Sequence, residues 1–303
     1  MWSLFTSLRL SNHWLSSALS CVVVCFPAVS DSKEPLIVTY RSAESVNDKR
    51  YDYDLAVLQL ALEKTIDEYG EFRLEPSGPM NYARAIHLVE KNQRANFFIK
   101  LSYEQSLPQT MNFVGFPIDL GIVDYRVCFI SPTAKAQLPE KLELSDIKAL
   151  RHGQGRGWAD VGILRANGFE VFENSSYEGL FLMVANNRVD LFCRGANELY
   201  QEYQSHASLS GIEIDQQFVL YYPLPRFFYT HKANTLALER VSKGLKKAFE
   251  DGSIQTLWRQ AYGASLDFAA LEARQLFPLT NPNLQQLESE YLKYFYQPDA
   301  FKR

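Results

Sequence analysis

From residue 36 onward the chain alternates short β-branched runs with longer stretches whose apolar positions recur every three to four residues. Leu36-Ile37-Val38-Thr39-Tyr40 follows Pro35 and predicts a buried first strand. Over 53–69, Leu55, Leu58, Ala61, Leu62 and Ile66 fall on one helical stripe that Gly70 stops. Phe72-Arg73-Leu74-Glu75-Pro76 alternates and predicts a second strand, 82–91 a second helix, and 96–101 a third strand. That β-α-β-α-β order calls for parallel strands joined by right-handed crossovers.

Over 113–130 the pattern changes. The stretches 114–118 and 123–130 are extended, with two glycines between them, and predict a passage from a first lobe to a second. A short helix follows over 142–150, then a glycine-rich loop over 151–158, a helix over 159–167 stopped by Gly168, and a strand over 169–172. Within 177–195, Leu180, Phe181, Met183 and Val184 fit a helix, and Asn186-Asn187 end it because they favour turns. Val189, Leu191 and Phe192 then start a buried strand with Arg194-Gly195 at its carboxyl end, the end where open α/β sheets bind ligands. Residues 217–222 predict the return passage, 227–230 a strand, 236–251 and 254–262 helices, and 283–295 a helix in the tail. This order is compatible with one discontinuous lobe, 31–118 plus 222–303, and a second, 119–221, inserted in it, a division that the family resemblance given below implies. A ligand belongs in the cleft between them.

Residues 1–30 stand apart. Arg9 is the only charge before Asp31, an apolar run covers 14–29, and Ala28-Val29-Ser30 puts small residues at the minus-three and minus-one positions of a secretory cleavage site. The run is shorter than the roughly 20 apolar residues a membrane span needs and contains serines and a proline. A cleaved signal peptide and a periplasmic destination are expected. A lipid anchor on Cys21 or Cys25 fits less well, since Val24 precedes Cys25 where a small residue is wanted. Loss of Arg9 takes the net charge from −4 to −5, and no basic run occurs, so nucleic acid is excluded as a partner. Only Cys128 and Cys193 remain in the mature chain. In an oxidising compartment they either pair or stay as buried thiols in apolar strands.

The helix-Asn-Arg-Val-Asp-strand run over 177–195, the paired crossovers and the segment Leu245-Lys246-Lys247-Ala248-Phe249-Glu250-Asp251-Gly252-Ser253-Ile254 resemble extracytoplasmic solute-binding proteins of the amino-acid-binding type, solute-binding family 3. The resemblance implies an α/β, two-lobed periplasmic binding protein type 2 fold: two Rossmann-like lobes joined by two crossover segments. It departs from that family in two places. No arginine follows Ser102 before Arg126, and Arg194-Gly195 replaces the acidic residue that usually ends the strand after Arg188-Val189-Asp190. The resemblance is to a divergent subgroup with a Gly-x-x-x-Tyr-Arg crossover, here 121–126, and an ordinary α-amino acid is a poor default ligand.

The candidate ligand contacts follow from position. Gly153-Gln154-Gly155-Arg156-Gly157-Trp158 runs into a helix start, where free N–H groups favour an anion. Arg156 would pair with an acidic group and Trp158 would stack, while Asp160 is either a contact or a helix cap. Arg194 either meets ligand or bonds Glu198 one turn on. Ser176 and Tyr177 precede or open a helix, and Ser176 is equally a plain cap. In lobe one, Arg41 and Ser42 follow the first strand, Tyr82 and Arg84 open the second helix, and Ser102 and Tyr103 follow the third strand. Arg126 is expected to brace the hinge.

No metal-type spacing of histidines and cysteines, cofactor motif or nucleophile elbow occurs. The expectation is a monomeric, non-enzymatic solute-binding protein that captures a small polar, anionic ligand and delivers it to an ABC permease or a membrane sensor. The alternatives are a periplasmic dehydratase-like enzyme with Glu104 as its acid, and a partner-binding domain with a degenerate cleft.

Overall fold

A computed structural model describes residues 34–295, apart from 46–47 and 108. The expected signal peptide therefore lies outside the described residues. The strands are β1 (Leu36–Tyr40), β2 (Phe72–Pro76), β3 (Ile99–Ser102), β4 (Met111–Phe113), β5 (Tyr125–Ile130), β6 (His152–Gly155), β7 (Val171–Asn174), β8 (Leu191–Gly195), β9 (Glu213–Ile214), β10 (Phe218–Tyr221), β11 (Arg226–His231) and β12 (Gln275–Pro278). The helices are α1 (Asp52–Glu63), α2 (Ile66–Tyr69), α3 (Tyr82–Glu90), α4 (Pro132–Lys135), α5 (Leu144–Lys148), α6 (Ala159–Ala166), α7 (Tyr177–Ala185), α8 (Leu199–Ser205), α9 (Thr235–Glu250) and α10 (Ser253–Ala269). Among the described residues no helix is long and apolar enough to cross a membrane.

Two lobes result. In lobe one β1 pairs with β2 in parallel, a bridge from Tyr40 to Phe98 carries the layer on, and β11 lies between β3 and β4. Helices α1, α9 and α10 pack together on this lobe. The α1–α9 crossing is close because Gly244 has no side chain: a Cβ there would stand 1.9 Å from the Ala61 carbonyl oxygen. Lobe two is a seven-stranded sheet in the order β12-β10-β5-β8-β6-β7, with β9 also paired to β5.

The crossovers between lobes are tied to each other. The Leu224 N–H donates to Asp124 Oδ1 at 2.8 Å, and the Tyr222 N–H donates to the Asp124 carbonyl at 3.1 Å. Asp124 is buried, and burial pushes its carboxyl up to about 7. One residue just before β5, on the outgoing crossover, thus fixes where the chain turns after β10.

Several boundaries differ from the sequence reading. The first helix breaks at Lys64-Thr65, where the buried Thr65 hydroxyl turns back to the Ala61 and Leu62 carbonyls. The stretch 151–158 is not a loop throughout: His152–Gly155 is a buried strand, parallel to β7 and β8. Its glycines admit close neighbours, since a Cβ on Gly153 would meet Val189 at 3.0 Å and one on Gly155 would enter the Trp158 ring. The tail also departs from expectation. Gln275–Pro278 joins the lobe-two sheet beside β10, whereas the sequence pattern places all of 222–303 in lobe one. The helix expected over 283–295 is two short 3-10 turns, Pro282–Leu284 and Ser289–Tyr294. The second turn places Tyr291 and Tyr294, three apart and eclipsed in such a turn, both inward, where they meet Phe227 and Phe116.

Cys128 and Cys193 stand directly opposite in the β5–β8 ladder and form a disulfide. The free-thiol alternative does not hold.

Candidate functional site

Two chambers lie along the seam between the lobes. The first has a volume of about 70 Å³. From lobe one it is lined by Arg41 just beyond β1, Arg50 and Tyr51 before α1, Tyr82 at the start of α3, Lys100 and Ser102 on β3, and Arg226 on β11. From lobe two come Trp158, Ala159 and Asp160 at the start of α6, Arg194 near the end of β8, and Glu198. The second chamber is larger, about 290 Å³, and lies between α1, α8 and α10. The two share Arg50, Lys100 and Glu198 as a common wall.

The charges of the first chamber are arranged in depth. Five cations face it: Arg41, Arg50, Lys100, Arg194 and Arg226. Only Asp160 and Glu198 face it as acids. The balancing carboxylates sit behind. Arg41 bonds Glu44 at 2.9 Å, Arg50 bonds Asp48 at 2.7 Å, Lys100 meets Asp54 at 2.6 Å and Asp119 at 3.1 Å, and Arg194 meets Glu202 at 2.8 Å. None of these backing carboxylates lines the first chamber. Arg41 is 6% exposed and, among the described residues, its Nε has no hydrogen-bond partner.

Glu198 is the centre of the network. It accepts from Arg194 at 3.0 Å and from Arg226 at 3.0 Å. Burial pushes its carboxyl up, but Arg194, Arg226 and Arg126 outweigh burial and hold it well below the usual carboxylate range. Arg226 is the mirror case: burial works against its charge, and Glu198 and Asp119 reverse that and raise it. Glu202, also buried, is raised chiefly by burial.

Behind this layer Arg126 is wholly buried. Its Nε donates to the Tyr222 hydroxyl at 3.1 Å, that hydroxyl donates to Asp160 at 2.7 Å, and the guanidinium pairs with Asp160 directly. Tyr222 belongs to the return crossover, so Arg126 ties the crossover to the start of α6. Asp160 is held as the partner of Arg126, and no side chain caps α6.

The remaining candidates fall in different places. Arg41, Tyr82, Ser102, Trp158, Asp160 and Arg194 meet at the first chamber. Tyr177 lines the second and donates its hydroxyl to Glu202 at 2.9 Å. Arg156 is exposed and borders a recess of about 20 Å³ with Trp158. Ser42 does not line either chamber; its hydroxyl accepts from the Gly78 N–H and its own N–H donates to Ser77, which ties the ends of β1 and β2. Arg84 is exposed on α3 and takes part only through its backbone N–H, which donates to the capping Asn81. The Tyr103 ring packs edge-on against Phe113 and Phe227 inside lobe one. Ser176 caps α7, accepting from the Gly179 N–H, and is exposed. Glu104 is half-buried and lines neither chamber, though burial pushes its carboxyl up to about 7.

Sequence reasoning missed Arg50, Lys100 and Arg226, and it named Glu198 only as the partner of Arg194, a bond that forms at 3.0 Å. Lys100 and Arg226 carried one usable signal: each is a lone cation within an otherwise apolar or aromatic strand run. Their convergence depends on β3 and β11 pairing with Arg226 opposite Ser102, which no local pattern announces.

No protein-family model matches the sequence, and no curated protein matches it. Solved structures do match in fold. An ancestral arginine-binding protein bound to arginine superimposes with a TM-score of 0.55 at 16% identity, covering 77% of this chain and 100% of that one. A histidine kinase sensor domain with similarity to periplasmic binding proteins gives 0.54 at 11% identity, covering 77% and 98%. An amino acid ABC transporter substrate-binding protein from Streptococcus pneumoniae bound to L-arginine gives 0.53 at 10%, covering 75% and 93%. The chain has the two-lobed α/β fold of periplasmic binding proteins. These neighbours are binding proteins and a sensor domain.

Proposed function

We propose that this protein is an exported solute-binding protein of the family 3 type whose cleft captures a small polar anion. The observation that carries the reading is the layering of the first chamber: five cations in front, two carboxylates beside them, and the balancing acids behind. A buried arginine donor without a partner, Arg41 Nε, favours an acceptor on the ligand. The start of α6 adds N–H groups and the positive end of a helix dipole. The ligand would touch both lobes, so it would bind the closed state better than an open one and shift the population toward closure. An ABC permease or a membrane sensor would read the closed form, and the neighbours include a substrate-binding protein of an ABC transporter and a histidine kinase sensor domain. The dehydratase alternative is not favoured, because Glu104 does not reach the chamber.

The test is a thermal-shift comparison of small carboxylates and oxyanions on the wild type and Arg41→Ala. A ligand at about 100 times its Kd adds about 2.7 kcal/mol to stability. The reading expects a stabilising anion whose effect shrinks at least tenfold in affinity in Arg41→Ala. Equal stabilisation of both proteins would contradict it.

A further inference from the structure

The larger chamber has no role in capture of a small anion, yet it shares a wall with the first. Its volume, about 290 Å³, is near the lower bound of ordinary ligand pockets, roughly 300 Å³, while the first chamber falls well short of that. A solute confined to the first chamber is very small. A solute that displaces the Arg50 or Lys100 side chain from the shared wall has room for a body as well as a head.

The chemistry of the two chambers differs in a way that defines such a body. The first presents five cations against two acids. The second presents Lys49, Arg50 and Lys100 against Asp52, Glu198 and Glu202, which balance. Tyr53, Tyr177 and Tyr262 supply flat, half-polar surface. Asn197, Gln201 and Gln260 supply side-chain amides, each able both to donate and to accept. Asn197 is 3% exposed and, among the described residues, its Oδ1 has no hydrogen-bond partner. The mouth residues Lys49, Asp52, Gln201 and Gln260 are exposed, so the chamber is reachable from solvent.

We propose that the solute is a short peptide of two or three residues, seated with its carboxylate in the first chamber and its amide-bearing body in the second. Amide side chains paired with flat rings suit peptide bonds, which carry one donor and one acceptor each and are planar. The balanced charge of the second chamber suits a body with no net charge beyond an amino terminus, for which Asp52 at the mouth is the acceptor. The inference rests on the anion-capture reading and adds the length and chemistry of what is attached to the anion.

The experiment is calorimetric titration of the protein with acetate, L-alanine, Ala-Ala and Ala-Ala-Ala, repeated on Ala56→Trp and on Gln260→Ala. Ala56 and Gln260 line the second chamber and not the first. Ala-Ala or Ala-Ala-Ala is expected to bind at least tenfold tighter than alanine or acetate. Ala56→Trp fills the second chamber and should abolish that gain while leaving the short carboxylates unchanged. Gln260→Ala, an exposed position that leaves folding intact, should reduce the gain several-fold. Short carboxylates that bind with no gain on lengthening would overturn this inference and leave anion capture standing. Binding by none of the four would overturn this inference, and anion capture would fall with it if succinate and inorganic phosphate, titrated alongside, also failed to bind.

Discussion

The Arg226 guanidinium on the lobe-one sheet meets the Glu198 carboxylate of lobe two across the cleft at 3.0 Å, with both side chains almost wholly buried. Ser45 Oγ, 3.3 Å from Glu178, and Arg50, stacked 3.8 Å over the Tyr177 ring, join the same two lobes further out. The closed arrangement thus carries an ion pair at its centre, and Glu198 is also the acid on which Arg194 converges.

Removing Arg226 takes a cation from both Glu198 and Asp119 but leaves Glu198 its bond to Arg194, and so costs a share of the about 3–5 kcal/mol of a fully broken buried pair. Arg226→Met is therefore expected to lower the denaturation midpoint, and Arg226→Met with Glu198→Gln to recover much of the loss. Chemical denaturation of the single and double variants reads the coupling. Additive losses would show that the pair does not couple the lobes.

Glu104 makes a pH prediction. Burial raises its folded carboxyl to about 7 from an ordinary value of 4.5, so between those values the native state holds a proton that the unfolded chain releases. Stability from this group is complete below about pH 4.5 and falls as pH rises through 7. Glu104→Gln mimics the protonated form. It should be more stable than wild type at pH 8 and indistinguishable from it at pH 4, as measured by urea midpoints. A difference independent of pH would contradict this.

The disulfide closes a long loop, with the cysteines 65 residues apart. Constraining the unfolded chain over that length is worth about 4 kcal/mol in the entropic account. Replacing both cysteines by alanine should cost a few kcal/mol, and so should reduction once the buried bond has been opened under mild denaturant. A midpoint unchanged by either would show that the bond adds nothing to the folded state.

A test of the chamber wall comes from Gly155. A Cβ there would lie 2.2 Å from the Trp158 ring, so Gly155→Ala must displace the indole that lines the cleft. Tryptophan fluorescence should shift, and anion affinity should fall more than stability does. Unchanged fluorescence would mean that the ring is not held against the strand.

These particulars show what the sequence carried. Short apolar runs such as Leu36–Tyr40 and Leu191–Gly195 announced their strands because burial and β-branching are local properties. The turn at Asn186-Asn187 and the cap at Ser176 were equally local. His152–Gly155 was not legible as a strand, because glycines that admit Val189 and Trp158 look the same in sequence as glycines that loosen a loop. The cleft was half legible. Residues at strand ends, Arg41, Ser102 and Arg194, follow from topology. Arg226 and Glu198 do not, since their meeting depends on two lobes closing face to face.

The most direct test of the account is calorimetric titration at pH 7 with a matched trio: succinate as dianion, L-glutamine as neutral zwitterion and L-arginine as cation. Five cations facing the first chamber predict that succinate binds tightest and arginine weakest, with the succinate affinity falling as salt rises. Tightest binding of arginine, the ligand bound in two of the structural neighbours, would contradict the account.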